Sequence, residues 1–368
     1  MKVLILTKCK RPFLRGTIGG VEDYIQNDHA FEGWWSGFRN HGLQTLLDGR
    51  SRFFIPLSVA YRFPKLYFWL SGLLFVTGLS LVDRYCLSRS IENRVSNENI
   101  DLIFTEINDF LSMASIDRMK KKGVVVTEWF GVFPDMVPKR ILRTLDHYSH
   151  IWCPGDIVDE FRKRGVENPN IHYIETSFNE KFFHHEFEKK YAYDVCFVGG
   201  IGKPHSGRIP ILEKVAERFE RFAFYGYGIE QAGRSSALRK RFKGWADHHT
   251  MRKLFSSSKI ALNLTLDGYD RVKKGVNARC FEIPACGGAL QLSAFHRNMK
   301  DYFNDDEIAY FHDPDDLISK INYYLSREGE RVAVVEKALQ KAKTYSYSNK
   351  VPALMNIIQN GGKHRSVA

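Results

Sequence analysis

The sequence predicts an α/β protein of two Rossmann-like domains, each a parallel sheet wrapped by helices. Three observations lead there. Short apolar runs of four to seven residues alternate with amphipathic stretches along the whole chain. The runs are continuously apolar rather than alternating, which marks strands buried on both faces and hence a parallel sheet. The strand–helix series then occurs twice, and 368 residues exceed what one ordinary core holds.

In order, "KVLILT" is a first strand, followed by a glycine turn and the helical stretch "VEDYIQNDHAFEGWWSGFRNHG". "LQTLLD" is a second strand. After a long apolar segment come "IDLIFTE", "GVVVTEWF", "HIWCPG" and "NIHYIET", rich in Val, Ile and aromatic residues, with helices such as "DIVDEFRKRG" between them. The charged, aromatic stretch 177–193 breaks this rhythm and sets the domain boundary. The series resumes with "DVCFVGG", helix "IPILEKVAERF", "FAFYGYG", helix "HTMRKLFSSS", "KIALNLT", a helix, "GALQLS" and "EIAYFH". The expected division is an N-terminal domain over 1–180, a C-terminal domain over 190–345, and a helix and tail over 346–368. Ligands of such sheets bind beyond the carboxyl ends of the strands, so the site is expected in the cleft between the domains.

Composition narrows the partners without choosing one. Hydrophobic residues are 44% and charged residues 26%, as in soluble globular proteins, and the net charge of +12 favours phosphates, nucleic acid or an anionic membrane surface. The six cysteines lack metal-ligand spacing and sit in apolar contexts, pointing to a reducing cytoplasm. The opening residues lack a signal-peptide cleavage region. The uncharged run 68–82 is shorter than the ~20 residues that span a bilayer. It reads first as a buried helix, then as a membrane-dipping helix, peripheral at the inner face of the membrane, and last as a true span.

Three motifs carry candidate chemistry. "GTIGGVEDY" places Gly19 and Gly20 between the first strand and a helix, where backbone N–H groups suit a phosphate or sugar hydroxyl. It lacks the third glycine of a dinucleotide fingerprint. "DVCFVGGIGKPHSGR" repeats the arrangement with Gly199, Gly200, Lys203 and Arg208, a diphosphate cradle without Walker spacing. The densest constellation is "LDGYDRVKKGVNARCFEIPACGG": Arg271, Lys273, Lys274 and Arg279 bring cations, Asn277 a polar reader, and Glu282 a carboxylate for a ribose diol. Helix capping alone would account for Glu282 but not for its cationic neighbours. Asp313-Pro314-Asp315 reads as a helix start rather than a metal-binding pair. His248 and His249 read as a loop entering a helix, so no metal ligands are assigned.

These residues resemble a known family. "FVGG…R" followed by "NARCFEIPACGGALQLS" and "EIAYFHDPDDLISKINYYL" is similar to the C-terminal half of GT-B glycosyltransferases, specifically the group-1, CgeB-like (spore-maturation-type) subgroup, over residues 194–348. The N-terminal "GGVEDY" resembles the glycine loop of the same fold. The resemblance implies two facing domains and a UDP- or GDP-sugar held mainly by the C-terminal one, as co-substrate with no cofactor. Glu282 would bind ribose, and Lys203, Arg208 or the cations of 271–279 would neutralise the leaving diphosphate. Many retaining members carry a second glutamate eight positions earlier; here that position is Lys274, which leaves stereochemistry open.

The expected activity is transfer of a hexose-like sugar to a hydroxyl on a glycan, lipid-linked glycan, protein or small molecule, as in polysaccharide biosynthesis. An inverting reaction needs a general base, for which Glu106, Asp109, Glu128 and Asp135 stand at strand ends; His29 and His41 are further candidates. The alternatives are a nucleic-acid-binding or DNA-modifying protein, and a catalytically silent nucleotide-sugar-binding protein. The scattered basic residues and the lack of a recognition motif argue against nucleic acid.

Overall fold

The computed structural model describes residues 1–8, 38–50, 80–106, 111–131, 133–203, 205–264 and 273–360. They pack as two compact units, Met1–Ile174 with Ser348–Ala368, and Glu175–Tyr347. Each is a parallel sheet, as the continuously apolar runs require. The run 68–82 lies outside the described residues except for its last three, which open helix α1. Among the described residues no helix is long and apolar enough to cross a membrane.

The first unit holds strands β1 (Lys2–Lys8), β2 (Gln44–Arg50), β3 (Leu102–Glu106), β4 (Val125–Trp129), β5 (His150–Cys153) and β6 (Ile171–Tyr173). They pair in parallel in the order β2-β1-β3-β4-β5-β6. Helices α1 (Ser80–Glu98), α2 (Met113–Lys121), α3 (Lys139–Leu145) and α4 (Val158–Arg162) join the strands, and α11 (Tyr347–Gln359) belongs to this unit from Ser348 onward. Val3 to Leu6, Leu102 to Phe104 and Ile151 to Cys153 are buried, with successive side chains on opposite faces.

Two polar clusters are set into this apolar frame. Glu92 on α1 is buried and accepts hydrogen bonds from Arg118 Nε at 2.9 Å and Nη2 at 2.6 Å, and from the Ser115 hydroxyl. Burial pushes this carboxyl up, but the Arg118 and Ser115 hydrogen bonds outweigh it and hold the group below the usual range. Arg118 is half-open to water, so Arg118→Met is expected to cost unit 1 about 2 kcal/mol, below the range for a fully buried pair. Glu92→Gln, which leaves Arg118 solvated, should cost less; urea melts of the two variants check the order. The second cluster joins β5 and β6. His150 Nδ1 lies 3.0 Å from His172 Nε2, and both rings stack on Trp152 with centroids 5.4 and 5.0 Å away.

The second unit contains β7 (Val195–Gly200), β8 (Phe222–Tyr227), β9 (Ile260–Asn263), β10 (Leu290–Ala294) and β11 (Ala309–Phe311), paired in parallel as β11-β10-β9-β7-β8. Its helices are α5 (Arg208–Arg218), α6 (Ala237–Arg241), α7 (His248–Ser257), α8 (Arg279–Ala285), α9 (Pro314–Ser326) and α10 (Glu328–Ala342). Along β7, Val195 and Phe197 enter one apolar cluster while Cys196 and Val198 enter another, so both faces are covered. From β7 the chain steps to β8 on one side and then to β9 on the other. That reversal makes a topological switch point at the carboxyl ends of β7 and β9, where open α/β sheets take ligands. The equivalent point in unit 1 lies between β1 and β3.

Candidate functional site

The C-terminal constellation converges on the end of β7. Arg208 opens α5 and reaches across the switch point: its Nη1 donates to Gly200 O at 3.0 Å and its Nη2 to Leu264 O at 2.6 Å. One guanidinium thus ties the ends of β7 and β9. Its face lies 5.8 Å from the centre of the Phe197 ring. Lys203 is exposed on the loop between β7 and α5. Gly199 and Gly200 are the last residues of β7 itself, and a side chain at Gly200 would meet the Tyr227 ring, with Cβ 2.3 Å from Cζ.

Glu282 is fully buried on the first turn of α8, whose residues 280–285 are all buried. Arg279, one turn earlier on the same face, forms an ion pair with its carboxylate. Arg279 is itself about a quarter exposed and touches three other groups: Val198 O from Nε at 3.4 Å, Met251 Sδ from Nη2 at 3.0 Å, and the Phe255 ring at 5.6 Å. Arg208 at Gly200 and Arg279 at Val198 thus both contact the carboxyl end of β7. Asn277 Nδ2 donates to Asn263 Oδ1 at 3.0 Å, and Asn263 Nδ2 approaches Cys280 Sγ at 3.2 Å, fixing the entry to α8 against β9. Lys273 and Lys274 are exposed, and Arg271 lies outside the described residues.

Burial pushes the Cys196 and Cys280 thiols up to about 12 and raises Cys286 further. These are packing groups, not nucleophiles. Asp313 caps α9, its Oδ1 accepting from the N–H groups of Asp315 and Asp316 at 2.8 and 2.9 Å, which lowers its carboxyl. His248 and His249 open α7 behind its cap Asp247, and His248 packs against Phe182 with centroids 5.2 Å apart. Among the described residues no three metal-ligating side chains gather around a common point.

A family model described as "Glycosyl transferase-like" matches residues 208–356. No curated protein matches the chain. Solved structures resemble it over nearly its whole length. A sucrose-phosphate synthase from Thermosynechococcus elongatus superposes with a TM-score of 0.62 at 12% identity, covering 98% of this chain and 99% of that one. Anabaena HepE in complex with UDP-glucose gives 0.58 at 11%, covering 97% and 99%. An E. coli structure described as trehalose-6-phosphate bound with UDP-2-fluoro glucose gives 0.61 at 10%, covering 99% and 100%. The fold is GT-B.

Sequence reasoning missed an aromatic pair in the second unit. Residues 242–244 run beside β8, with Lys243 N donating to Phe224 O and Gly226 N to Gly244 O, both at 2.8 Å. This carries Trp245 beyond the strand end, 61% exposed, where its ring lies 6.4 Å from that of Tyr227, 50% exposed. The signal was present as "FYGYG" and "FKGW", aromatic residues beside turn glycines, but they read as strand and loop. Asn263 was also missed; a lone polar residue ending the apolar "IALN" marks it.

In the other GT-B unit, Glu128 is buried at the penultimate position of β4 and accepts from the Thr105 hydroxyl of β3. Asp135 is exposed in the short 3₁₀ turn Pro134–Met136. Glu106 ends β3, but its side chain falls outside the described set, as do Gly19, Gly20, His29 and Asp109 entirely. His41 is described: its Nε2 lies 2.8 Å from Ser348 O, so the ring ties the end of its helical turn to α11.

Proposed function

We propose that this protein is a group-1, CgeB-like glycosyltransferase that moves a hexose-like sugar from a nucleoside diphosphate sugar to a hydroxyl acceptor in glycan or glycoconjugate synthesis. One observation carries the reading. Two arginines and a buried carboxylate meet at the end of β7, at the switch point where this class of sheet binds ligands. The match of residues 208–356 to a glycosyl transferase-like family supports it. So do the uridine nucleotide sugars in the HepE and E. coli structures, which make UDP-sugars the first donors to try.

In this reading the carboxylate of Glu282 takes the ribose hydroxyls, and Tyr227 and Trp245 offer exposed ring faces beside the same loops. Departure of a nucleoside diphosphate builds negative charge, which fixed cations stabilise without reorganisation. Lys203, Arg208, Lys274 and Arg279 would supply that charge from protein side chains alone. Unit 1 would bind the acceptor, and in an inverting reaction one of Glu106, Glu128 or Asp135 would take the hydroxyl proton while the anomeric carbon is attacked.

A thermal-shift panel of UDP, GDP and their sugars tests this. A donor at about 100 times its Kd stabilises the native state by about 2.7 kcal/mol and should raise the melting temperature by several degrees. Glu282→Gln is expected to lose that shift and to reduce sugar transfer and donor hydrolysis at least ~100-fold. A variant that keeps the full shift would remove Glu282 from the donor site.

A further inference from the structure

Resting on the donor-site reading, we infer that Arg279 is an exchanging ligand: it leaves Glu282 for the donor's diphosphate as that carboxylate takes the ribose hydroxyls. Glu282 has no exposed surface, and its Oε2 is ion-paired with Arg279. A hydroxyl that takes Oε2 must displace the guanidinium. Arg279 is free to leave. Its contacts to the Val198 carbonyl, the Met251 thioether and the Phe255 ring are long or involve weak acceptors, so Glu282 is its one charged partner among the described residues.

The energetics restrict what can trigger the exchange. A buried carboxylate stripped of its partner is strongly unfavourable, so Arg279 does not depart unless new donors arrive at Glu282. A guanidinium leaving an anion gains most from another multi-oxygen anion, and the tetrahedral phosphates of a diphosphate present pairs of oxygens for bidentate contact. A nucleoside brings the hydroxyls without the anion, and pyrophosphate brings the anion without the hydroxyls. A nucleoside diphosphate supplies both: hydrogen-bond donors for the carboxylate and an anion for the guanidinium. The two halves of the ligand should therefore bind with strong positive coupling, and Arg279 should be its source.

The experiment is calorimetric titration of the full chain with UDP, uridine and inorganic pyrophosphate, for wild type and Arg279→Gln. Wild type is expected to bind UDP at least ~100-fold more tightly than uridine. Arg279→Gln should weaken UDP about tenfold or more while uridine is unchanged or tighter, because the guanidinium no longer holds Glu282 Oε2. Equal loss of UDP and uridine would mean that Arg279 only braces α8, and unchanged UDP affinity would mean that it never meets the diphosphate; either overturns the exchange alone. Failure of wild type to bind UDP, with GDP and guanosine equally silent, would overturn the donor-site reading and the exchange with it. A crystal structure of the wild-type complex with UDP decides the matter without a variant: the guanidinium on phosphate oxygens supports the exchange, and the guanidinium still on Glu282 refutes it.

Discussion

Gly228→Ala is expected to lower the stability of the second unit by about 3 kcal/mol or more, a fall in melting temperature of roughly 6–12 °C for a unit of this size. Gly228 follows β8 with φ +89°, a conformation that costs a side-chain-bearing residue about 1 kcal/mol or more. A Cβ there would also lie 2.1 Å from Gly202 N and 2.6 Å from Gly202 Cα. Those atoms are backbone, held by the 3.0 Å bond from Ile201 N to Tyr227 O, so no rotamer change relieves the clash. The loop carrying Lys203 must move away from β8, and, with the donor site as proposed, nucleotide affinity should fall with stability. Gly233→Ala is the control: nothing lies within 4 Å of its Cβ and its φ is ordinary. Comparable losses in the two variants, in calorimetric melts, would contradict the argument.

Acid should weaken the first unit well before ordinary carboxylates titrate. Burial lowers both His150 and His172 to about 4; the Lys120 charge adds to the effect on His150, and His150 adds to that on His172. In an unfolded chain both titrate near 6.5. Between those values the unfolded chain binds protons that the folded one refuses, so stability falls as pH drops from about 6.5 towards 4 and levels below. At roughly 1.4 kcal/mol per pH unit, that span amounts to about 3 kcal/mol for one ring, and the pair titrates as a coupled unit. The geometry agrees: one nitrogen donates and the other accepts across 3.0 Å, and double protonation leaves no acceptor. Denaturant melts at pH 7.5 and 4.5 should therefore show a loss that is smaller in a His150→Phe/His172→Phe double variant. An equal loss in the variant would assign the acid sensitivity elsewhere.

The strands were legible because burial on both faces writes itself into sequence as unbroken apolar runs. "KVLILT", "DVCFVGG" and "KIALNLT" became β1, β7 and β9 on that signal alone. The cap at Asp313 was legible for a similarly local reason, since an Asp-Pro start followed by acidic residues satisfies free helix N–H groups. Arg208 was visible as a cation but not as the tie between β7 and β9, because that requires knowing that two strands some sixty residues apart are neighbours. Arg279 and Glu282 were each read as ligand contacts. Their spacing of three already placed them on one helical face, where opposite charges meet, so the closure of one by the other was encoded locally but read as two separate roles.

The path of α11 has a practical outcome for anyone dividing the protein. Its first residue, Tyr347, is bonded to Phe178 of the second unit, while the helix from Ser348 onward belongs with the first. Cutting the gene after Ile174 therefore yields an incomplete N-terminal fragment that lacks a helix it packs with, and a C-terminal fragment carrying an orphaned one. Keeping each half whole requires that the segment from Ser348 stay with the first and that the second end at Tyr347.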